Sequence, residues 1–230
     1  YFWADTFLAW SLKELNAFCE MYSEFKMPFW CQTRVETVEI ERLRLLREIG
    51  CARLSFGLEH GNPEFRTKWL KRRMTNEMIV KNFGIVNEVG IPFSVNNIIG
   101  FPHETRELAF DTVYLNREFE CNDRSAYVFT PFQGTPLRAE CDRLGFTQPD
   151  QIVQSSVPER TALDMPQFPR SEVLGLVKTF NMYVKFDEDR WPEIRQAEGN
   201  TPEAQERYEA LKAEFVSSFW NDDDSTNFEE

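Results

Sequence analysis

Ala52–Arg53–Leu54–Ser55–Phe56–Gly57–Leu58–Glu59 is the stretch on which the fold turns. In an extended chain Ala52, Leu54, Phe56 and Leu58 share one face, and Arg53, Ser55, Gly57 and Glu59 share the other. The first set suits packing against helices. The second is polar, has a glycine within it and ends on a carboxylate, which suits the interior of a barrel. Immediately upstream, residues 39–49 carry Ile40, Leu43, Leu46 and Ile49 at helical spacing and stop at Gly50. Downstream, Thr75 reads as an N-cap with Glu77 in the first turn, and the helical pattern runs to about Val89 before Gly90. A strand between two helices of this length is the repeat of a βαβ fold.

The same repeat extends in both directions. Residues 1–5 read as a strand, and residues 7–25 as a helix with Leu8, Leu12, Leu15, Phe18 and Tyr22 in phase, broken by Pro28. Residues 29–34 are the next strand. Beyond Gly90, residues 92–99 read as a strand, 105–119 as a helix, 125–130 as a strand and 136–145 as a short helix. The expected fold is α/β, a partial TIM-like (β/α) barrel of parallel strands lying side by side in chain order, over residues 1–146. Residues 147–220 are expected to form an irregular loop, rich in Pro, Gln and Ser to about residue 169, and then a helical C-terminal extension at 171–186 and 201–220. Residues 221–230 read as an acidic, frayed tail.

Composition narrows the function. The 230 residues are 42% hydrophobic and include 21 Phe, enough for a sizeable core. A net charge of -12 makes the chain a poor binder of nucleic-acid backbones, so no nucleic-acid partner is expected, although residues 68–73 form a local basic spot. No apolar run approaches the roughly 20 residues of a membrane span. The opening residues show neither a signal peptide nor an initiating Met, so the chain reads as a fragment or as a protein that lost its beginning. Cys19, Cys31, Cys51, Cys121 and Cys141 are odd in number and widely spaced, which suits a reducing cytoplasm and no metal cluster within the chain.

In parallel α/β folds ligands bind at the C-terminal ends of strands. Those ends carry Asp5, Gln32 and Arg34, then Ser55, Gly57 and Glu59, then Asn96, Asn97 and Gly100, then Thr130 and Pro131. Glu59 has two readings of equal weight: an acceptor for ribose hydroxyls or an ammonium, or a helix cap or partner of Arg34. Glu104 reads as an acid at a helix start, His103 as an exposed turn residue, and the residues from Phe129 to Pro136 as either an aromatic wall or a stiff turn.

Taken together, Phe2–Trp3–Ala4–Asp5–Thr6–Phe7, Trp30–Cys31–Gln32–Thr33–Arg34, Leu45–Leu46–Arg47–Glu48–Ile49–Gly50–Cys51, Ser55–Phe56–Gly57–Leu58–Glu59–His60–Gly61, Leu70–Lys71–Arg72–Arg73–Met74–Thr75 and Ile98–Ile99–Gly100–Phe101–Pro102–His103–Glu104–Thr105 form an ordered series. The series resembles the radical S-adenosylmethionine (SAM) enzymes, in particular the subgroup with a cobalamin-binding domain that includes the anaerobic magnesium-protoporphyrin monomethyl ester cyclases. It covers about residues 1–136, with a weaker echo to 183. The resemblance implies a partial barrel whose second strand starts at Tyr1. It implies reductive cleavage of SAM to a 5′-deoxyadenosyl radical, a [4Fe-4S] cluster, a small-molecule substrate and a further N-terminal cobalamin-binding domain in a longer parent protein. It places Glu59 on the SAM ribose and, with Ser55 and Gly57, in the pocket. Gly100 falls in the turn lining that pocket, Asn96 or Asn97 near the methionine end, Arg34 and Gln32 on the preceding strand, and the Phe129 backbone near the adenine. The chain departs from the family in lacking the CxxxCxxC loop that binds the cluster. This chain alone is therefore expected to be inactive. Two other functions stand beside this one: a degenerate, non-catalytic SAM- or nucleoside-binding module, and an unrelated TIM-barrel hydrolase or lyase using Glu59 and Asp5.

Overall fold

The computed structural model describes residues 1–25, 27–148, 150–153 and 162–219. Four strands form one sheet in chain order: β1 (Phe29–Thr33), β2 (Cys51–Glu59), β3 (Phe93–Ile99) and β4 (Asp123–Val128). β1 pairs parallel with β2, setting Gln32 opposite Ser55, and β2 pairs parallel with β3, setting Gly57 opposite Asn96. α1 (Leu12–Tyr22) precedes β1; α2 (Ile40–Glu48), α3 (Asn76–Val89) and α4 (Arg106–Arg117) run between the strands, followed by α5 (Pro136–Arg143), α6 (Arg170–Lys185), α7 (Trp191–Ala197) and α8 (Pro202–Phe219). The α/β class, the parallel pairing and the chain-order placement agree with the sequence.

The chain divides into two compact units. The first comprises Tyr1–Glu59, Pro63–Asn97 and Glu118–Ser125. Its strands bury one face. Phe29, Cys31, Leu54, Phe56, Leu58, Phe93 and Val95 are buried, while Gln32, Ser55, Gly57 and Asn96 are only half-buried. Phe56, Phe83, Phe93 and Phe119 form the aromatic centre of that core, with the Phe83 and Phe119 rings 4.5 Å apart. The helix ends obey their local chemistry. Ser11 and Glu14 close a capping box on α1, Thr75 Oγ1 accepts from the Met78 N–H to cap α3, and Gly90 ends it in a left-handed turn at φ 75°.

The expected first strand is reduced to a single parallel bridge between Phe2 and Cys31. The Phe2 N–H donates to Trp30 O at 2.8 Å. The chain then turns at Asp5–Thr6 into a 3-10 turn at Phe7–Ala9, so the ladder goes no further. Aromatic contacts hold the segment instead: Phe2 lies within 5.6 Å, ring to ring, of Phe7, Phe18, Tyr22 and Phe29.

The second unit comprises His60–Asn62, Ile98–Arg117 and the described part of Ala126–Glu230. Its helices share a buried polar hub. Glu198 accepts from Arg106, Arg195 and the Tyr183 hydroxyl, and burial together with that carboxylate pushes the Tyr183 hydroxyl pKa up. Arg138 is buried on α5, and its guanidinium donates to Pro131 O, Gln148 O and Gln151 O, which orders the start of the irregular segment. Residues 154–161 of that segment and the expected acidic tail at 221–230 lie outside the described residues. The α7 turns were not expected from the sequence, where Trp191–Pro192 and the following glutamates show no clear period.

Candidate functional site

The half-buried face of the first unit's strands opens at their C-terminal ends into a cleft of about 430 Å³. That volume lies in the range of small-molecule sites, about 300–1,000 Å³. β1 and the residue after it contribute Gln32, Thr33 and Arg34; β2 contributes Ser55, Gly57 and Glu59; β3 contributes Asn96. Asp5, Thr6 and Arg72 complete the lining. Alternation explains the set. One strand face carries Gln32 and Arg34, then Ser55, Gly57 and Glu59, then Asn96, all pointing away from the aromatic core.

Local contacts order the lining. Asn96 Nδ2 donates to Ser55 Oγ at 3.0 Å, tying β3 to β2 across the floor. The Tyr1 hydroxyl donates to Gln32 Oε1 at 3.0 Å, and Arg34 pairs with Glu36. Thr33 Oγ1 accepts from the Leu8 N–H and meets Thr37 Oγ1, so it serves the packing beneath the cleft.

Glu59 is the most perturbed group in the cleft. It closes β2 with φ 72°, a left-handed conformation that non-glycine residues adopt infrequently, and the β2–β3 register shifts between Gly57 and Glu59. That kink folds its carboxylate back over Gly57. A Cβ at position 57 would lie 2.3 Å from Glu59 Oε1, so only glycine leaves the carboxylate room. Burial raises the Glu59 pKa above the usual carboxylate value, and the charges of Arg72 and Arg34 oppose that rise. Arg72 Nη2 stands 3.1 Å from Glu59 Oε1. Of the two readings the sequence left open, Glu59 therefore lies in a cleft, and its ion-pair partner is Arg72.

The other expected site residues fall as follows. Asn97 is buried on the opposite strand face from Asn96, and its amide donates to Ser125 O at 3.1 Å. Gly100 and Phe129 belong to the second unit. Gly100 has φ 94°, and a Cβ there would meet Val173 Cγ1 at 2.8 Å, so both conformation and packing require glycine. Phe129 is buried with its ring 4.9 Å from Phe101, and its N–H donates to Ile99 O at 2.8 Å. The turn after β3 is held by Glu104, which is fully buried. Its Oε2 accepts from the Gly100 and Phe101 N–H groups, and its Oε1 lies 2.9 Å from His60 Nε2 in an off-angle contact. Since His60 Nδ1 accepts from the Asn62 N–H, Nε2 carries the proton. Glu104 thus does more than face a helix dipole. His103 (φ 69°) is partly covered and pairs with Glu140 at 2.6 Å.

Thr6, Thr33 and Arg72 are the cleft residues that sequence reasoning missed; for Arg72, the basic run at 68–73 carries no sign of which cation turns inward. Cys31 and Cys51, brought together on β1 and β2, are both buried, and the hydrogen bond that the Cys31 thiol donates to Cys51, with burial, drives the Cys31 pKa far up. A thiol held neutral is a poor metal ligand. Among the described residues no group of three or more His, Cys, Asp or Glu side chains gathers as a metal site, and no helix is long and apolar enough to cross a membrane.

Residues 6–113 match the model of the radical SAM superfamily. Over 82 residues the chain is 37% identical to a tRNA-2-methylthio-N(6)-dimethylallyladenosine synthase of Halalkalibacterium halodurans, a match covering 34% of this chain and 15% of that protein. Coproporphyrinogen III oxidase of Escherichia coli, described as a radical SAM enzyme, aligns with a TM-score of 0.58 at 17% identity, over 84% of this chain and 44% of the other. The radical SAM methyltransferase TsrM of Kitasatospora setae, solved with cobalamin and a [4Fe-4S] cluster, aligns at 0.53 and 18% identity over 90% and 42%. These structural likenesses speak to the fold, and the chain spans less than half the length of each of these proteins.

Proposed function

We propose that the chain, whose residues 6–113 match the radical SAM superfamily model, is the catalytic-barrel portion of an enzyme that reductively cleaves SAM to start radical chemistry on a small molecule. The observation that carries the reading is the cleft at the strand ends, with Glu59 folded over Gly57 at its mouth. A carboxylate there accepts the two ribose hydroxyls in charge-assisted hydrogen bonds. Ser55 and Asn96 form a polar floor, Gln32 and Arg34 face the ligand from β1, and the missing Cβ of Gly57 admits it close to the strand. Of the two asparagines that the resemblance offers for the methionine end, Asn96 is the one in the cleft, and the roles of Gly100 beside the nucleotide and Phe129 at the adenine rest on the family resemblance alone.

In this superfamily the electron for cleavage comes from a [4Fe-4S] cluster. The described residues do not fit that cluster, and the sequence has no CxxxCxxC loop, so cleavage is assigned to a longer parent protein. The same parent would carry a cobalamin-binding domain, a reading supported by the likeness to TsrM. Residues 1–146 are its barrel portion and 147–220 a helical extension. A net charge of -12 favours a small-molecule substrate over a nucleic acid, and the cytoplasm is the proposed location. The absent cluster loop equally suits a non-catalytic binding module. Reading the coding sequence upstream of Tyr1 for three closely spaced cysteines separates the two.

Calorimetric titration of S-adenosylhomocysteine, which shares the adenosine of SAM and needs no cluster, tests the site. The wild-type chain should bind it, and Glu59→Gln should weaken binding about tenfold or more with an unchanged melting temperature. Equal affinities would remove Glu59 from the site, and an absence of binding to both would remove the cleft.

A further inference from the structure

A single guanidinium organises the mouth of the cleft. Arg72 Nη1 donates to Gly57 O at 2.7 Å while Nη2 stands 3.1 Å from Glu59 Oε1. Arg72 thus grips a strand carbonyl and the carboxylate that closes the same strand. It is itself held in place. Its N–H donates to Arg66 O at 3.0 Å, closing the π-helical turn Arg66–Leu70, and Lys71 before it is left-handed at φ 57°. Arg66 is fully buried and donates to Met74 O at 2.9 Å and to Asn76 Oδ1 at 2.6 Å, tying the turn to the start of α3. This irregular winding carries residue 72 back over β2. π-turns inside helical segments recur at functional sites.

We propose that Arg72 is a positioning residue for Glu59: it clamps one carboxylate oxygen and the Gly57 carbonyl, so that Glu59 stays ionised and turned to accept a vicinal diol. This rests on the reading of the cleft as the SAM site. Glu59 sits in a backbone conformation of low intrinsic preference, largely out of water. Left alone, such a carboxyl takes up a proton and rotates away from the strained position. The charged groups around it are Arg34 with its partner Glu36, Asp5 from the N-terminal segment, and Arg72; the cleft residue from β3, Asn96, is uncharged. Among the described residues, Arg72 is the one of these in direct contact with the Glu59 carboxylate. Oε2 makes no hydrogen bond among the described residues, leaving an acceptor for a ligand.

The test follows the Glu59 carboxyl carbon by NMR titration in the 230-residue chain, for wild type, Arg72→Lys and Arg72→Met. The titration midpoint should rise in that order, because lysine keeps a charge but cannot hold both atoms. In parallel, S-adenosylhomocysteine affinity of Arg72→Met should fall roughly tenfold at a pH below the Glu59 midpoint read from that variant's own titration and recover at a pH above it. A folded Arg72→Met protein with the wild-type midpoint overturns the proposal. So does an affinity loss equal at both pH values, which is what damage to the turn alone produces. If Arg72→Met fails to fold, the Arg72→Lys midpoint decides, and a wild-type value there overturns the proposal. If the wild-type chain binds no S-adenosylhomocysteine, the SAM reading of the cleft falls, and the midpoints still decide whether Arg72 sets the charge of Glu59.

Discussion

At position 57 a single hydrogen atom separates a formed site from a lost one. Gly57 is not in a left-handed conformation, so its backbone accepts alanine; the obstacle is the Glu59 carboxylate 2.3 Å from where a Cβ would stand. That atom is the end of a flexible side chain and can move. Gly57→Ala should therefore fold, with a stability loss of about 1–2 kcal/mol in urea unfolding, and lose S-adenosylhomocysteine affinity as Glu59→Gln does. Wild-type affinity in Gly57→Ala would mean that the carboxylate position seen here is not the one that binds. The pH dependence at Glu59 follows from its raised pKa. Folding favours the protonated form, so its contribution to stability is larger below the unfolded carboxylate pKa and declines as pH rises through the folded value.

Elements depend on caps in the same residue-specific way. The turn after β3 carries two buried N–H groups that donate to the Glu104 carboxylate, so Glu104→Ala should cost about 2–5 kcal/mol. Glu104→Gln keeps an acceptor and should recover most of that loss in urea unfolding. A loss below 1 kcal/mol for the alanine variant, to an order of magnitude, would show that water replaces the carboxylate. Nearby, α5 offers a surface counterpart. Arg143 first, then His103, hold the Glu140 carboxyl down to about 2. Since the folded value lies below the unfolded one, the stabilisation is present above the ordinary carboxylate pKa and is lost as pH falls toward about 2. In an NMR titration the Glu140 midpoint should rise in Arg143→Ala and rise further when His103→Ala is added.

For the molecule as a whole, cofactor chemistry separates fold from competence. Residues 6–113 match the superfamily's model, yet the buried thiols do not gather as a cluster site among the described residues. Anaerobic reconstitution of the 230-residue chain with iron and sulfide should leave no stoichiometric cluster by iron assay and absorption spectroscopy. A stable four-iron signal that disappears in Cys31→Ala or Cys51→Ala would show that the sheet cysteines replace the loop.

Much of this protein follows from the sequence by itself. Period-two alternation over 52–59 and 92–99 and helical spacing over 39–49 and 75–89 specify parallel strands between helices, because each pattern has one face that must be buried. Thr75, Gly50 and Gly90 mark helix ends by chemistry that acts within one turn. The strand-end rule then points to Gln32, Arg34, Ser55, Gly57, Glu59 and Asn96, all of which line one cleft. Tertiary structure alone decides the rest. Asn96 and Asn97 are equivalent as letters, and pairing with β2 places one in the cleft and one in the core. The strand expected at residues 1–5 shrinks to one bridge because aromatic packing of Phe2, not backbone pairing, anchors it. Arg72 reaches Glu59 only because a π-helical turn on a buried Arg66 carries it there, and no local period encodes a contact that depends on the winding of the chain between its partners.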